Sequence, residues 1–405
     1  MAIQHTSDKE GVINYASTLS NLSNSPDDTT SPHFTLPEQY ALLRQLRREV
    51  IERYRPHLQD GPGPIRMMAR VVGDLERECR AHHIDESIIR SEIVNRTIGD
   101  IDLRKVTECV GNPGGATDYR LLADELGIAL PGEQFHGYTA TGETYLWLRS
   151  QMMECERELI EQHHFDTRVY DNYGIGNPML RERLASEMRQ WKLPITKEQV
   201  ALSLGAMDGI DKALRGMHLY FRNQGMQDIG ILFPSPGFGV PEWQARSFNY
   251  RLHYFHTLPE HHFKITAEQL DTLLDEHPDI RLFYLTITNN PTAFAYTFNE
   301  LNALHDVLRQ HRERGHVVYI LADLAYIGTG QPETDYERMA TFAPQDVLAH
   351  TIFVGSFSKT YSLTGERFGW VTCGDPAIMS VIAAAWTNTM ATLPGEWQLR
   401  YMAYT

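Results

Sequence analysis

The segment Gly355-Ser356-Phe357-Ser358-Lys359-Thr360-Tyr361-Ser362-Leu363-Thr364-Gly365-Glu366-Arg367-Phe368-Gly369 places one lysine in a serine-rich turn directly after an apolar run, and an arginine eight residues later inside G-x-R-x-G. A lysine amine condenses with an aldehyde to an imine, and a guanidinium fork with neighbouring hydroxyls holds a phosphate. The segment therefore carries the parts a phosphorylated aldehyde requires. The same residue types also suit an ordinary strand-to-helix loop with a surface lysine and arginine, so the elements around them have to decide.

Those elements read as an α/β domain. Short β-rich apolar runs occur at 229–233, 281–287, 317–321 and 351–354, each closed by polar or Gly/Pro-containing turns, with amphipathic helical stretches such as 298–314 between some of them. The alternation predicts a mainly parallel sheet, whose functional groups gather at the carboxyl ends of the strands. Upstream the texture differs. Residues 1–36 hold 14 Ser, Thr or Asn and few large apolar groups, which predicts a mobile tail. Tyr40, Leu43, Leu46, Val50, Ile51 and Tyr54 recur at helical spacing from Pro37 to about Leu58, GPGP at 61–64 breaks the pattern, and a second helical run follows through Met67 to Cys79. Residues 37–104 thus read as a helical extension.

The chain has 405 residues, 37 basic against 52 acidic side chains, a net charge of −15 and 42% hydrophobic residues. That length and apolar content bury a sizeable core and exclude a disordered chain or a disulfide mini-protein. An acidic chain makes nucleic acid and membrane surfaces poor partners. Cys79, Cys109, Cys155 and Cys373 lie far apart with no C-x-x-C spacing, which argues against a disulfide framework or zinc knuckle. No signal-like N-terminus and no run of about 18 apolar residues occurs, so a soluble cytoplasmic protein is expected. The His-His pairs beginning at 82, 163 and 261 lack metal-ligand spacing, and no metal is expected.

The lysine segment resembles the pyridoxal-phosphate motif of the class I/II aminotransferases, S-x-S-K followed by G-x-R-x-G. The resemblance implies a three-layer, fold type I pyridoxal-phosphate-transferase large domain, and it extends over about residues 105–405. It makes Lys359 the Schiff-base lysine, Arg367 the phosphate-binding arginine, and Ser356 a hydroxyl on the phosphate, with Ser358 as a second candidate. Asp323 and Tyr326, in Ala322-Asp323-Leu324-Ala325-Tyr326, match the family's D-x-x-Y. The carboxylate would keep the ring nitrogen of pyridoxal 5′-phosphate protonated, and the tyrosine would hydrogen-bond its phenolic oxygen. Taken alone, Asp323 also suits a helix cap.

Asn289-Asn290-Pro291-Thr292 is similar to the second half of N-P-x-N-P-T-G and gives Asn290 to the same ring oxygen. Ile287 and Thr288 stand where the family has Asn-Pro, and the final glycine is Ala293. Gly205-Ala206-Met207 matches the glycine turn that offers N–H groups to the phosphate at a helix N-terminus. Pro234-Ser235-Pro236-Gly237-Phe238 resembles the turn whose aromatic stacks on the ring, here Phe238, for which a core phenylalanine is the bland alternative. The run from Tyr170 through Gly174 and Gly176 to Leu180-Arg181 is similar to Y-x-x-x-G-x-x-x-L-R, whose tyrosine reaches the neighbouring subunit's phosphate. Spacing fits both Tyr173 and Tyr170, with Tyr173 preferred, and implies a homodimer with shared active sites.

The family's arginine for the substrate α-carboxylate lies beyond the 46 residues that follow Lys359. The chain ends inside a helix expected after Pro394, so an incomplete small domain is expected, with residues 105–164 as its N-terminal part and 165–405 as the large domain. Three explanations compete for the missing arginine: a truncated product, which is favoured; a cofactor-binding relic; or replacement by the appended helices. The expected activity is transamination between an amino acid and a 2-oxo acid. Decarboxylation, elimination or a cyclopropane-forming lyase reaction would use the same apparatus. A non-catalytic regulator whose N-terminal helices bind DNA or a partner would need a basic recognition helix, yet residues 40–105 carry 13 basic and 11 acidic side chains.

Overall fold

The computed structural model describes residues 34–57, 64–93, 141–171, 174–361 and 363–405, in two units, Met1–Ile98 and Gly99–Thr405. In the first unit the helix Leu36–Tyr54 starts within the segment expected to be a tail. Thr35 and Glu38 form a capping box, with the Glu38 carboxylate accepting the Thr35 N–H at 2.7 Å. The helix Pro64–Ala81 and the shorter Glu86–Glu92, capped by Asp85 on the Ser87 N–H, follow it. Leu43, Leu46 and Val50 lie one helical turn apart and close on Val71, Leu75, Cys79, Ile88 and Ile89 in a small core of their own. The boundary expected at 104/105 and the first 33 residues lie outside the described residues.

Among the described residues, the second unit is built on a seven-stranded sheet: β1 (Val200–Leu204), β2 (Gly230–Ser235), β3 (Arg251–His256), β4 (Ile280–Thr286), β5 (Tyr319–Asp323), β6 (Thr351–Ser356) and β7 (Phe368–Cys373), in the order β1-β7-β6-β5-β4-β2-β3. Every neighbouring pair is parallel except those made by β7, which runs back between β1 and β6. All residues of β5, β6 and β7 are buried, so both faces of the sheet are covered, as a βαβ architecture requires. The helix Ala206–Asn223 packs on β1, β7 and β6 and is in turn covered by Pro376–Thr387.

Four of these strands fall on the runs read from sequence, with ends shifted by no more than two residues. β1, β3 and β7 are additional. β3 is an edge strand on which only Phe255 is fully buried, so it carries little apolar signal. β7 lies in the glycine-bearing tail of the lysine segment. The helix Gly395–Ala403 begins after Pro394 as expected, and it packs on Thr141–His163. Its Gln398 accepts the Asn177 N–H at 2.6 Å. Cys79, Cys155 and Cys373 are free thiols. Among the described residues, no helix is long and apolar enough to cross a membrane.

Candidate functional site

Parallel strands deliver their carboxyl ends to one edge of the sheet, and β7, being antiparallel, starts at that same edge. Gly205 follows β1, Phe238 follows β2, Asn290 follows β4, Tyr326 follows β5 and Lys359 follows β6, while Asp323 is the last residue of β5 and Arg367 immediately precedes β7. Register fixes their neighbours: Leu204 pairs with Phe368, Ser356 with Gly369 and Asp323 with Val354.

One end of the site is an anion cradle. Gly205 has φ 81° and forms the N-cap of Ala206–Asn223, and no side chain among the described residues caps that helix. Its first N–H groups therefore face outward with the positive end of the helix dipole. A Cβ on Gly205 would collide with Nη2 of Arg367. Arg367 takes φ 59°, a left-handed conformation that costs an L-residue about 1–2 kcal/mol. Its Nη1 donates to the Thr364 carbonyl at 2.9 Å and Nη2 to that of Leu204 at 3.4 Å. A guanidinium held against an open helix N-terminus is electrostatically unfavourable until an anion lies between them. Ser356, opposite Gly369 in the β6–β7 register, and Ser358 are buried, Ala206 is half-buried, and Met207 is 41% exposed.

The other end is a buried carboxylate. Asp323 accepts the Ala325 N–H on Oδ1 at 2.9 Å and the Tyr284 hydroxyl on Oδ2 at 2.7 Å. Burial pushes its carboxyl above the usual range, against these two donors. The helix-cap alternative is met in part, because the Ala325 bond has the geometry of a cap but closes a turn instead of a helix. Tyr326 is half-buried and hydrogen-bonded by Asn290; its phenol is raised first by burial and then by Asp323, with Asn290 opposing. The short helix that carries Lys359 is tied to this turn, since Thr360 Oγ1 donates to the Ile327 carbonyl at 3.0 Å. Lys359 itself is half-buried.

Loop positions follow from a few bonds. Asn289 Nδ2 donates to the Pro236 carbonyl at 3.1 Å and to Thr292 Oγ1 at 3.2 Å, while its Oδ1 accepts from Thr286 Oγ1 at 3.1 Å. It thereby joins the Asn290 turn to the half-buried Phe238 loop. The Ser235–Pro236 and Asn290–Pro291 bonds are cis. Ala293, where the resemblance expects glycine, has φ 61°. Arg181 is buried and donates to the carbonyls of Gly176 at 3.0 Å and Lys197 at 2.9 Å, which seats the Gly174–Gly176 turn beside β1. Tyr173 lies outside the described residues. The alternative, Tyr170, is 75% exposed.

The structure therefore brings Lys359, Asp323, Tyr326, Asn290, Phe238, Gly205, Ala206, Met207, Ser356, Ser358 and Arg367 to one sheet edge. Sequence reasoning missed Tyr284, Asn289 and the structural need for Gly369. Only Asn289 had a signal, as the neighbour of Asn290. The residues fit pyridoxal phosphate, with an anion cradle where a Cβ would intrude, a buried carboxylate on β5, and a phenol and an amide on the turns after β5 and β4.

The family described as Aminotransferase class I and II matches residues 148–395, more than half of the chain. Tyrosine aminotransferase of Mus musculus is 27% identical over 52% of this chain and 43% of that one. Aspartate aminotransferase of Geobacillus stearothermophilus is 28% identical over 48% and 46%. The matched region thus spans less than half the length of either relative. Among solved structures, the aspartate aminotransferase of Rhizobium meliloti superposes with a TM-score of 0.53 at 17% identity, over 63% of this chain and 59% of that one, a likeness of fold.

Proposed function

The chain belongs to the class I and II aminotransferases, and from that membership we propose that it is a pyridoxal-phosphate-dependent transaminase moving an amino group between an amino acid and a 2-oxo acid. The observation that carries this reading is the opposition of two charged ends on one sheet edge, the Gly205–Arg367 cradle and the Asp323 carboxylate, with Lys359 just after β6, the strand between β7 and β5 in sheet order.

When bound, the pyridoxal group supplies a protonated ring that accepts electrons from the substrate's α-carbon. The Gly205, Ala206 and Met207 N–H groups, Arg367, Ser356 and Ser358 would hold its phosphate. Asp323 would keep a proton on the ring nitrogen, Tyr326 and Asn290 would donate toward the phenolic oxygen, and Phe238 would cover one ring face. Lys359 Nζ would anchor the group and, as a free amine beside the substrate, would move the proton at the substrate's α-carbon. Val169 and Tyr170, exposed beside the Gly174–Gly176 turn, support the further reading that this segment meets a second copy of the chain and that Tyr173 reaches the partner's phosphate.

The test is an absorbance spectrum of the purified protein with pyridoxal phosphate, followed by a panel of amino acids. A visible band absent from Lys359→Ala, shifted by an amino acid and restored by a 2-oxo acid, supports transamination. If the wild type forms no band, the cofactor assignment fails. If a band forms that no amino acid shifts, the transaminase assignment fails.

A further inference from the structure

Tyr284 lies on β4, fully buried, with its ring packed at 5.3 Å on Phe233. The β4–β5 register sets Tyr284 opposite Leu321 and Thr286 opposite Asp323. The phenol therefore reaches diagonally across one strand pair to place its hydroxyl 2.7 Å from Asp323 Oδ2. A phenylalanine would fill the same space without the cost of burying a hydroxyl, which is recovered only because Asp323 accepts from it.

Resting on the cofactor reading above, we propose that Tyr284 is a positioning residue of the site, whose hydroxyl holds the Asp323 carboxylate ionised and oriented so that it can pair with a protonated ring nitrogen. A buried carboxyl without donors becomes neutral, and a neutral acid cannot pair with a cation. Asp323 has two donors on two oxygens. The Ala325 N–H fixes Oδ1 from its own turn, and Tyr284 fixes Oδ2 from the neighbouring strand, leaving lone pairs of a located carboxylate for the ligand.

Other groups bear on this pair. Tyr326 lies on the same turn as Asp323, Glu242 acts on Tyr284 from the helix Val240–Ser247, and Lys359 follows β6, whose Val354 faces Asp323 without charge. Burial, and next the charge of Asp323, raise the Tyr284 phenol well above its ordinary range, so the hydroxyl keeps its proton and remains the donor at every working pH.

The experiment is a pH titration of the Asp323 carboxyl by ¹³C NMR in the cofactor-free full chain, assigned by its loss in Asp323→Asn. In parallel, pyridoxal phosphate is titrated between pH 5 and 9 by absorbance. Tyr284→Phe is expected to move the carboxyl midpoint up. Its cofactor affinity should be roughly tenfold weaker on the acid side, converging on wild type as pH rises. In an Asp323→Asn background the same change should add nothing. Incorporation of 3-fluorotyrosine at position 284, a stronger donor, should move the midpoint down, so a poorly folding Tyr284→Phe still leaves a signed test. The proposal is overturned if neither change moves the midpoint, or if Tyr284→Phe weakens binding equally at all pH values and in the Asp323→Asn background. Failure of wild type to bind pyridoxal phosphate overturns the cofactor reading and this proposal with it. Binding with an unmoved midpoint overturns this proposal alone.

Discussion

A Cβ placed on Gly369 would lie 2.7 Å from the Cα of Gly205, so the two glycines pack backbone against backbone where β7 meets β1. The final glycine of G-x-R-x-G is thus required by the turn that opens the helix Ala206–Asn223, far away in sequence. Gly369→Ala must push that turn away. We expect an overpacking cost of about 1–3 kcal/mol, read as a melting temperature lower by several degrees, together with at least a roughly tenfold loss of pyridoxal phosphate affinity. Gly365→Ala is the control, because nothing lies within 4 Å of its Cβ position, and it should leave both quantities near wild type. Equal effects of the two substitutions would refute the argument.

Arg367 spends its fork on two carbonyls while facing the helix N-terminus. A lysine has the charge but cannot bridge Thr364, Leu204 and a phosphate together. Arg367→Lys should weaken binding of pyridoxal phosphate roughly tenfold or more and leave binding of unphosphorylated pyridoxal unchanged. Fluorescence titration with both ligands checks this, and parallel losses would show that Arg367 acts on something other than phosphate.

Ala293 holds a left-handed φ of 61° while its N–H donates to the Asn289 carbonyl at 2.8 Å. Glycine adopts that conformation without the Cβ penalty, though it gives the unfolded chain more freedom. Ala293→Gly is therefore expected to stabilise the fold by up to about 1 kcal/mol. Urea unfolding measures it, and a destabilised variant would contradict the strain assigned to this turn.

His305 is buried between Thr341, 3.3 Å from its Nε2, and the ring of Phe342, and its Nδ1 has no partner among the described residues. Burial, and then Arg309, bring its pKa from 6.5 down to about 4. The unfolded chain takes up the proton first as pH falls. His305 therefore contributes fully to stability above about pH 6.5, and that contribution is lost progressively down to about pH 4, up to about 3 kcal/mol in all. Chemical denaturation across this window should show a slope that His305→Leu flattens.

The chain order of the candidate residues was legible in sequence where several strands were not. Lys359, Asp323, Asn290 and Arg367 stand out because each lies at the end of a strand or directly beside one, where chain order already implies the sheet edge. β3 escaped notice because an edge strand with one buried residue has no apolar period to read. β1 was visible only as the lead-in to a glycine turn, and β7 was hidden in the motif it terminates. Tyr284 was beyond reach for a different reason. Within its run it is one more apolar β-former, and its hydroxyl acquires meaning only when the register of β4 on β5 sets it beside Asp323. Gly369 likewise looks like part of a local motif until the backbone of Gly205 is seen to lie over it.

The place of β7 also has a consequence in time. Among the described residues it is the last strand in sequence, yet it sits inside the sheet, and there it is the one neighbour of β1, with Val200 opposite Thr372. A growing or refolding chain can assemble β2 to β6 while β1, together with the helix start that follows it, still has no seat. Closure across so long a loop is slow. The anion cradle therefore cannot be complete until β7 is in place, because Gly205 at the end of β1 and Arg367 at the start of β7 meet only through that pairing.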